Sequence, residues 1–393
     1  MDSLTQSAMR RPWQTMVIMV AAYVAISPPP HALGGNANVN PDVTATGSYW
    51  TEERLRDADP LPMPVGPADD SNMRPPTSSP ESRWGASSPG APPTIDHGNA
   101  LGVQLYELDK EEEEEEGPTA PKPKESNALR PMAFAGSGAA FTNSRVFPPG
   151  AVRAYPYRAI GKLFFFDGFG GATCTGSVIE RRLVLTAAHC VYDEVGDFFF
   201  DHFAFVPAYN RGRAPFGSWN WQVVWVTTSW LLGDGVPNNA DFAIIQVADR
   251  RVGGRRATIG DVVGVLGWEA FATPDNHVTS LGYPFNLDGG ERLQQTHAEV
   301  FDLEFPNAFT FGSYHLQGSS GGPIAVNFGQ RARGQPRGAT TIVGVNSFGP
   351  PDDWILGASI LNEEFLEILV LACARNRRNC SPTSVVATSL STQ

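Results

Sequence analysis

The chain of 393 residues is short of cysteine, of basic charge and of long apolar runs, and each shortage excludes something. There are four cysteines, Cys174, Cys190, Cys373 and Cys380, and neither pair has the spacing of a zinc site. An even count beside an export signal suggests two disulfides, although four cysteines allow three pairings. Twenty-nine basic residues stand against 41 acidic ones for a net charge of −12, so no basic patch argues for nucleic acid. The early apolar run, 13–26, is fourteen residues long and follows Arg10 and Arg11. A membrane-spanning helix needs about 20. With the Pro-rich break and small residues behind it, residues 1–33 read as a secretory signal peptide, and no stable membrane insertion is expected.

The acidity is concentrated. Residues 34–145 hold 18 acids and 9 bases, a balance of −9, which leaves only −4 for residues 146–393. This stretch is rich in Pro, Gly, Ser and Asn and carries a glutamate run at 111–116. Its few, scattered apolar residues cannot bury enough surface to offset chain entropy, so it is expected to be a mostly disordered leader. The glutamate run reads as a solvated, self-repelling linker, and removal of the leader as a pro-segment is compatible with that.

From about Val146 the texture changes to short β-rich runs, at 159–166, 176–187, 198–205, 219–228, 242–247, 262–266 and 340–348. Gly, Pro, Asn and Asp punctuate them, which indicates an all-β barrel or sandwich. Trp219, Trp221, Trp225 and Trp230 read as core aromatics rather than a ligand cage. One helix is expected at 363–374, capped by Asn362, with Glu363 and Glu364 at its positive end and Arg375, Arg377 and Arg378 after its negative end. Phe365, Leu366, Ile368, Leu369 and Ala372 supply its packing face. A Cys373–Cys380 bridge is one of the pairings left open and would staple a tail, 375–393, that is expected to loosen after Ser381.

Two stretches carry chemistry. Gly318-Ser319-Ser320-Gly321-Gly322-Pro323 is either a flexible Gly-Ser loop or a nucleophile turn. A serine nucleophile needs a neighbouring base and backbone N–H donors for the oxyanion, and glycines let the chain turn sharply enough to present them. Leu185-Thr186-Ala187-Ala188-His189-Cys190 places a histidine after small residues at the end of an apolar strand. The other six histidines, His31, His97, His202, His277, His297 and His315, start from a structural reading.

Together these stretches resemble the chymotrypsin-like serine peptidases, in which a disulfide beside the histidine closes a strand pair. That implies a Cys174–Cys190 bridge. Asn239-Ala240-Asp241-Phe242 adds an aspartate opening a buried strand, costly unless paired. Capping a turn is one role for it; accepting from the histidine Nδ1–H is the other. The order His189, Asp241, Ser320 matches the family. Tyr155-Pro156-Tyr157, Gly282-Tyr283-Pro284 and Gly357-Ala358-Ser359 look like the glutamyl endopeptidase branch, and the resemblance covers 146–374.

The resemblance implies two antiparallel six-stranded β-barrels with a cleft between them. It implies peptide-bond hydrolysis by Ser320 with His189 as base and Asp241 orienting it, an oxyanion hole from the Gly318 and Ser320 N–H groups, no metal or organic cofactor, and a secreted monomer acting on proteins or peptides. Ser319 cannot make the ion pair that trypsin-type enzymes build with an aspartate before the nucleophile, so activation is expected to differ from the trypsinogen switch, with Arg145–Val146 as a processing site. Tyr314, His315, Asn346, Ser347 and Phe348 are expected to line the substrate pocket. Glutamate-specific relatives carry histidine where Asn346 falls, which leaves His315 as a replacement donor to an acidic side chain. Asp352 and Asp353 read as solvated loop acids.

Overall fold

The computed structural model describes residues 37–65, 86–95, 103–105, 140–232, 240–272, 277–302, 307–329, 340–349 and 354–381. The expected signal peptide, the glutamate run, Asn239, Asp352, Asp353 and the last twelve residues of the tail lie outside them.

Six strands form the first barrel: β1 (Ile160–Phe166), β2 (Gly171–Val178), β3 (Leu183–Thr186), β4 (Asp201–Pro207), β5 (Trp219–Val226) and β6 (Ala243–Val247). Six more form the second: β7 (His277–Gly282), β8 (Gln294–Asp302), β9 (Ala308–Gly312), β10 (Pro323–Val326), β11 (Thr341–Phe348) and β12 (Ile355–Ile360). The first sheet runs β5-β4-β1-β2-β3-β6 and closes through a β5–β6 pairing. The second runs β10-β7-β8-β9-β12-β11 and closes through β10–β11. Both rings repeat one cyclic order, and every pairing within them is antiparallel. Closure removes the edges an open sheet would expose and leaves the interior to side chains. In the first barrel that interior is aromatic: Trp219, Trp221 and Trp230 are buried with Phe164, Phe203 and Phe205.

The C-terminal helix runs Glu363–Arg375. The Asn362 side chain accepts from the Glu364 and Phe365 N–H groups, and Phe365, Ile368, Leu369 and Ala372 are buried. Phe365 meets Trp268 and Phe242 edge-on, which fixes the helix against the first barrel. Cys373–Cys380 and Cys174–Cys190 are both disulfides.

Two expectations need correction. Residues 262–266 are not a strand: the short helix Ile259–Val263 begins at Thr258, whose hydroxyl and the Asp261 carboxylate form a reciprocal capping box, and ends at Gly264. Local capping overrode an apolar run too short to tell strand from helix. Nor is the leader structureless where it is described. Ala37–Val39 pairs with β5, Asp59–Pro60 with β2, Ser87–Ser88 with Gly267–Glu269, and Phe141–Arg145 with β8. Leu55, Met63 and Ala86 are buried. Sparse apolar residues suffice here because the barrels supply the other half of each contact.

Candidate active site

Thr186 ends β3, and the chain turns at once into a single 3₁₀ turn, Ala188–Cys190, tied back to β2 by the Cys174–Cys190 bridge. This holds His189 at the rim of the first barrel. Its Nδ1 lies 2.8 Å from Asp241 Oδ2, and its backbone N–H donates to Asp241 Oδ1 at 3.0 Å. Asp241 stands just before β6 and is fully buried. A third donor, the Ser347 hydroxyl, reaches Oδ2 from the second barrel. Three donors from two barrels offset the cost of burying a carboxylate and fix the imidazole's orientation. The opposite ring nitrogen, His189 Nε2, is buried and has no hydrogen-bond partner among the described residues, and the same is true of Ser320 Oγ.

Ser320 sits on the loop between β9 and β10, and this loop is clamped at several points. The Ser320 carbonyl accepts from the Thr175 N–H at 2.8 Å, and the Gly318 carbonyl from the Thr175 hydroxyl at 2.8 Å. That hydroxyl also accepts from the Tyr283 N–H at 3.0 Å. Two further clamps set the direction of two N–H groups. The Gln317 carbonyl accepts from the Phe285 N–H at 2.8 Å. The Ser319 carbonyl accepts from the Gly322 N–H at 2.9 Å and from Asn346 Nδ2 at 3.1 Å. In a planar trans peptide N–H and C=O point opposite ways, so holding these carbonyls turns the Gly318 and Ser320 N–H groups outward together. Neither N–H has an acceptor among the described residues. Gly318 has φ +89°, and a Cβ there would lie 2.6 Å from the Tyr283 carbonyl oxygen, so glycine is required. At Gly321, φ +75°, a Cβ would lie 2.6 Å from the Ala187 nitrogen, which brings the serine loop against the turn that carries His189.

The expected pocket residues divide. Tyr314 is 39% exposed and packs edge-on against Phe141 and Trp354. Phe348 is buried against Gly357. Ser347 is bonded to Asp241, and Asn346 to Ser280 and the Ser319 carbonyl, so both hold candidate site elements in place. His315 is buried; its Nε2 lies 3.3 Å from Thr296 Oγ1, its backbone N–H donates to Ser313 Oγ, and its Nδ1 has no partner among the described residues. Ser319 donates its hydroxyl to the Leu316 carbonyl at 2.7 Å, a local bond where an acid would make an ion pair. Thr175 and the clamping role of Asn346 escaped the sequence reading. Their only signal was a polar residue inside an apolar strand, which marks a buried hydrogen bond without naming its partner.

Burial pushes the His315 imidazole down to about 3, so it is neutral across the ordinary range. The unfolded chain takes up this proton first as pH falls below about 6.5. Stability contributed by the neutral ring is therefore complete above that pH and drains away toward pH 3, by about 1.4 kcal/mol per pH unit. Urea unfolding of the parent and of His315→Gln between pH 7 and pH 4 checks this. The variant should show the shallower pH slope, and identical slopes sink the assignment.

Cys174 Sγ, Cys190 Sγ and a His189 nitrogen lie within 4.8 Å of one another, but both sulfurs are consumed by the disulfide and offer no thiolate to a metal. The Arg145–Val146 bond lies where a paired strand ends. The Arg145 guanidinium forks onto Asp288, and the Val146 N–H donates to the Leu293 carbonyl at 3.0 Å.

Among proteins of known family, a profile described as Trypsin matches residues 151–354. A glutamyl endopeptidase of Bacillus licheniformis is 28% identical over 174 residues, 44% of this chain and 49% of its own length. An extracellular metalloprotease of Bacillus subtilis is 23% identical over 229 residues, 55% of this chain and 64% of its own. The chain thus spans about half to under two thirds of the curated relatives it matches. Among solved structures, the protease Anisep from Arthrobacter nicotinovorans aligns with TM-score 0.47 at 24% identity, covering 58% of this chain and 97% of that one. A Glu endopeptidase aligns with TM-score 0.45 at 22% identity, covering 59% and 96%.

Proposed function

We propose that this chain, which belongs to the trypsin family, is an exported serine endopeptidase whose nucleophile is Ser320. The observation that carries the reading is the His189–Asp241 pair: a buried carboxylate holds Nδ1 and leaves Nε2 without a partner among the described residues, while the Ser320 hydroxyl, on the loop that Gly321 brings against the Ala187 backbone, has none among them either.

The chemistry follows from this arrangement. Ser320 Oγ attacks the peptide carbonyl carbon while its proton passes to His189 Nε2, and Asp241 stabilises the imidazolium. The carbonyl oxygen becomes negative and is received by the Gly318 and Ser320 N–H groups. The C–N bond breaks as His189 returns the proton to the leaving amine. Water then attacks the acyl-enzyme, with His189 again taking and returning a proton, to release the acid and restore Ser320. The two disulfides are consistent with export to an oxidising compartment.

For the substrate side chain, the His315 imidazole and the Ser313 hydroxyl meet at Thr296 Oγ1, 3.3 and 3.4 Å away, on either side of Tyr314 in the chain. Such donors suit an acidic side chain, and the reading is a preference for glutamate or aspartate before the scissile bond. A serine-directed phosphonate tests the mechanism: after peptide mapping, the adduct is expected on Ser320, and its absence from processed, folded protein rejects the peptidase reading. A peptide library tests the specificity, with indifference to acidic residues rejecting the role given to His315.

A further inference from the structure

Residues 59–65 belong to the leader, yet they make contacts with both barrels. On the first-barrel side, Asp59 and Pro60 run parallel to β2 opposite Ala172 and Thr173. The Leu61 N–H donates to the Thr173 carbonyl at 3.0 Å, and the Thr173 hydroxyl to the Asp59 carbonyl at 3.3 Å. Thr173 adjoins Cys174, whose disulfide partner adjoins His189. On the second-barrel side, the Gly349 N–H donates to the Pro64 carbonyl at 3.1 Å. Met63 is 9% exposed and belongs to the second barrel's apolar core, its sulfur 3.3 Å from where a Gly349 Cβ would stand. Gly349 lies two residues beyond Ser347, which holds Asp241. Between these anchors, the Pro60 ring carbon lies 3.5 Å from the Cβ position of Gly318, the residue read as an oxyanion donor.

We propose that residues 59–64 form an intramolecular strap that occupies the substrate cleft, and that the enzyme reaches full activity only when the strap leaves. The proposal rests on the serine peptidase reading above and adds the regulation of that site. Three observations separate a strap from a bound substrate. The Asp59 and Pro64 carbonyls are held by Thr173 and Gly349, and no described carbonyl accepts from the Gly318 or Ser320 N–H, so none is presented for attack. Proline occupies positions 60, 62 and 64, which removes every second N–H and fixes φ, so the segment cannot settle into a full strand ladder. Finally, it pairs parallel to β2, whereas both barrels are antiparallel throughout.

The strap is also fastened upstream. The Trp50 indole N–H donates to the His202 carbonyl at 2.6 Å, Asn40 Nδ2 to the Trp221 carbonyl at 2.9 Å, and Leu55 is buried in the first barrel's core cluster. Tethering makes cleft binding intramolecular, so weak individual contacts suffice to keep it filled. A strap closed nine tenths of the time leaves about a tenth of the molecules competent, and apparent reactivity falls in proportion.

The test compares the full chain with its Leu61→Pro/Met63→Asp variant, which removes the N–H bonded to Thr173 and places a charge in an apolar contact. Thermal unfolding checks that both are folded. The variant is expected to label at Ser320 with phosphonate, and to hydrolyse a small fluorogenic peptide, at least about tenfold faster than the parent. Addition of a synthetic peptide of residues 58–65 to the variant should restore inhibition competitively and leave that peptide uncut. Equal, rapid labelling of both chains overturns the strap and leaves the peptidase reading standing. If Ser320 is unlabelled in both, the peptidase reading is what fails, and anisotropy of a dye-tagged 58–65 peptide then decides the strap separately: saturable binding to the variant but not to the parent supports it, and no binding overturns it.

Discussion

Ser320→Ala is expected to reduce turnover of the strap-released enzyme by about 10⁶-fold, the loss seen when a triad serine is removed, while leaving the fold intact. The attacking oxygen has no substitute in an alanine. What remains is the catalysis that oxyanion donors and substrate positioning supply alone, roughly 10³–10⁴ over water. The fold should not suffer, because the Ser320 hydroxyl is buried without a hydrogen-bond partner among the described residues. Deleting an unpaired buried hydroxyl leaves no group unsatisfied, so the unfolding temperature should stay level or rise. Active-site titration and calorimetry on the same preparations decide it. Activity within tenfold of the parent would remove Ser320 from the mechanism, and collapse of the fold would mean that the loop needs the hydroxyl for structure.

Asp241→Asn is expected to lower turnover by about 10⁴-fold, the effect that amidation of the orienting aspartate has in triads of this kind. The carboxylate accepts three hydrogen bonds, from the His189 N–H, His189 Nδ1 and the Ser347 hydroxyl. An amide offers one oxygen and brings two N–H donors, so it cannot serve all three. If the amide nitrogen faces Nδ1, the ring carries its proton on Nε2 and no longer accepts from serine. Unlike Ser320→Ala, this change also leaves a buried donor unmatched, and about 1–3 kcal/mol of stability should go with it. The two variants therefore differ in calorimetry even where both are inactive. A turnover within tenfold of the parent would mean that Asp241 is structural. Equal stability of Asp241→Asn and parent would mean that the observed bonds do not hold it.

The site was legible at its centre and illegible at its support. The motifs around His189, Asp241 and Ser320 could be read because each element of triad chemistry demands one residue type in a constrained setting: glycines around a nucleophile, a small-residue turn before a base, an acid opening a buried strand. Asn346 and Ser347 were read as pocket wall from their place in the chain. The bonds they make were not legible: Asn346 holds the Ser319 carbonyl and Ser347 the Asp241 carboxylate. Alternation along a strand says which side a residue faces only once the strand's register is known. Barrel strands β7, β8, β9, β10 and β12 were not picked out either, since Thr, Ser, Gln and Gly interrupt their apolar pattern and pairing across a closed barrel is long-range.

The sequence by itself determined the all-β texture of residues 146–374 and the C-terminal helix with its Asn362 cap, and it supplied the candidates His189, Asp241 and Ser320 on which the proposal rests. Local chemistry dictates those. Only the tertiary structure decided that the two sheets close in the same cyclic order and that the Gln317 and Ser319 carbonyls are each held by a donor. It alone brought residues 59–64 of the leader against both barrels. A Pro-rich segment with one methionine and two leucines among residues 54–65 has too little apolar surface to order itself. It orders because β2, Gly349 and the second barrel's core supply bonds and apolar contacts that no local reading of those residues contains.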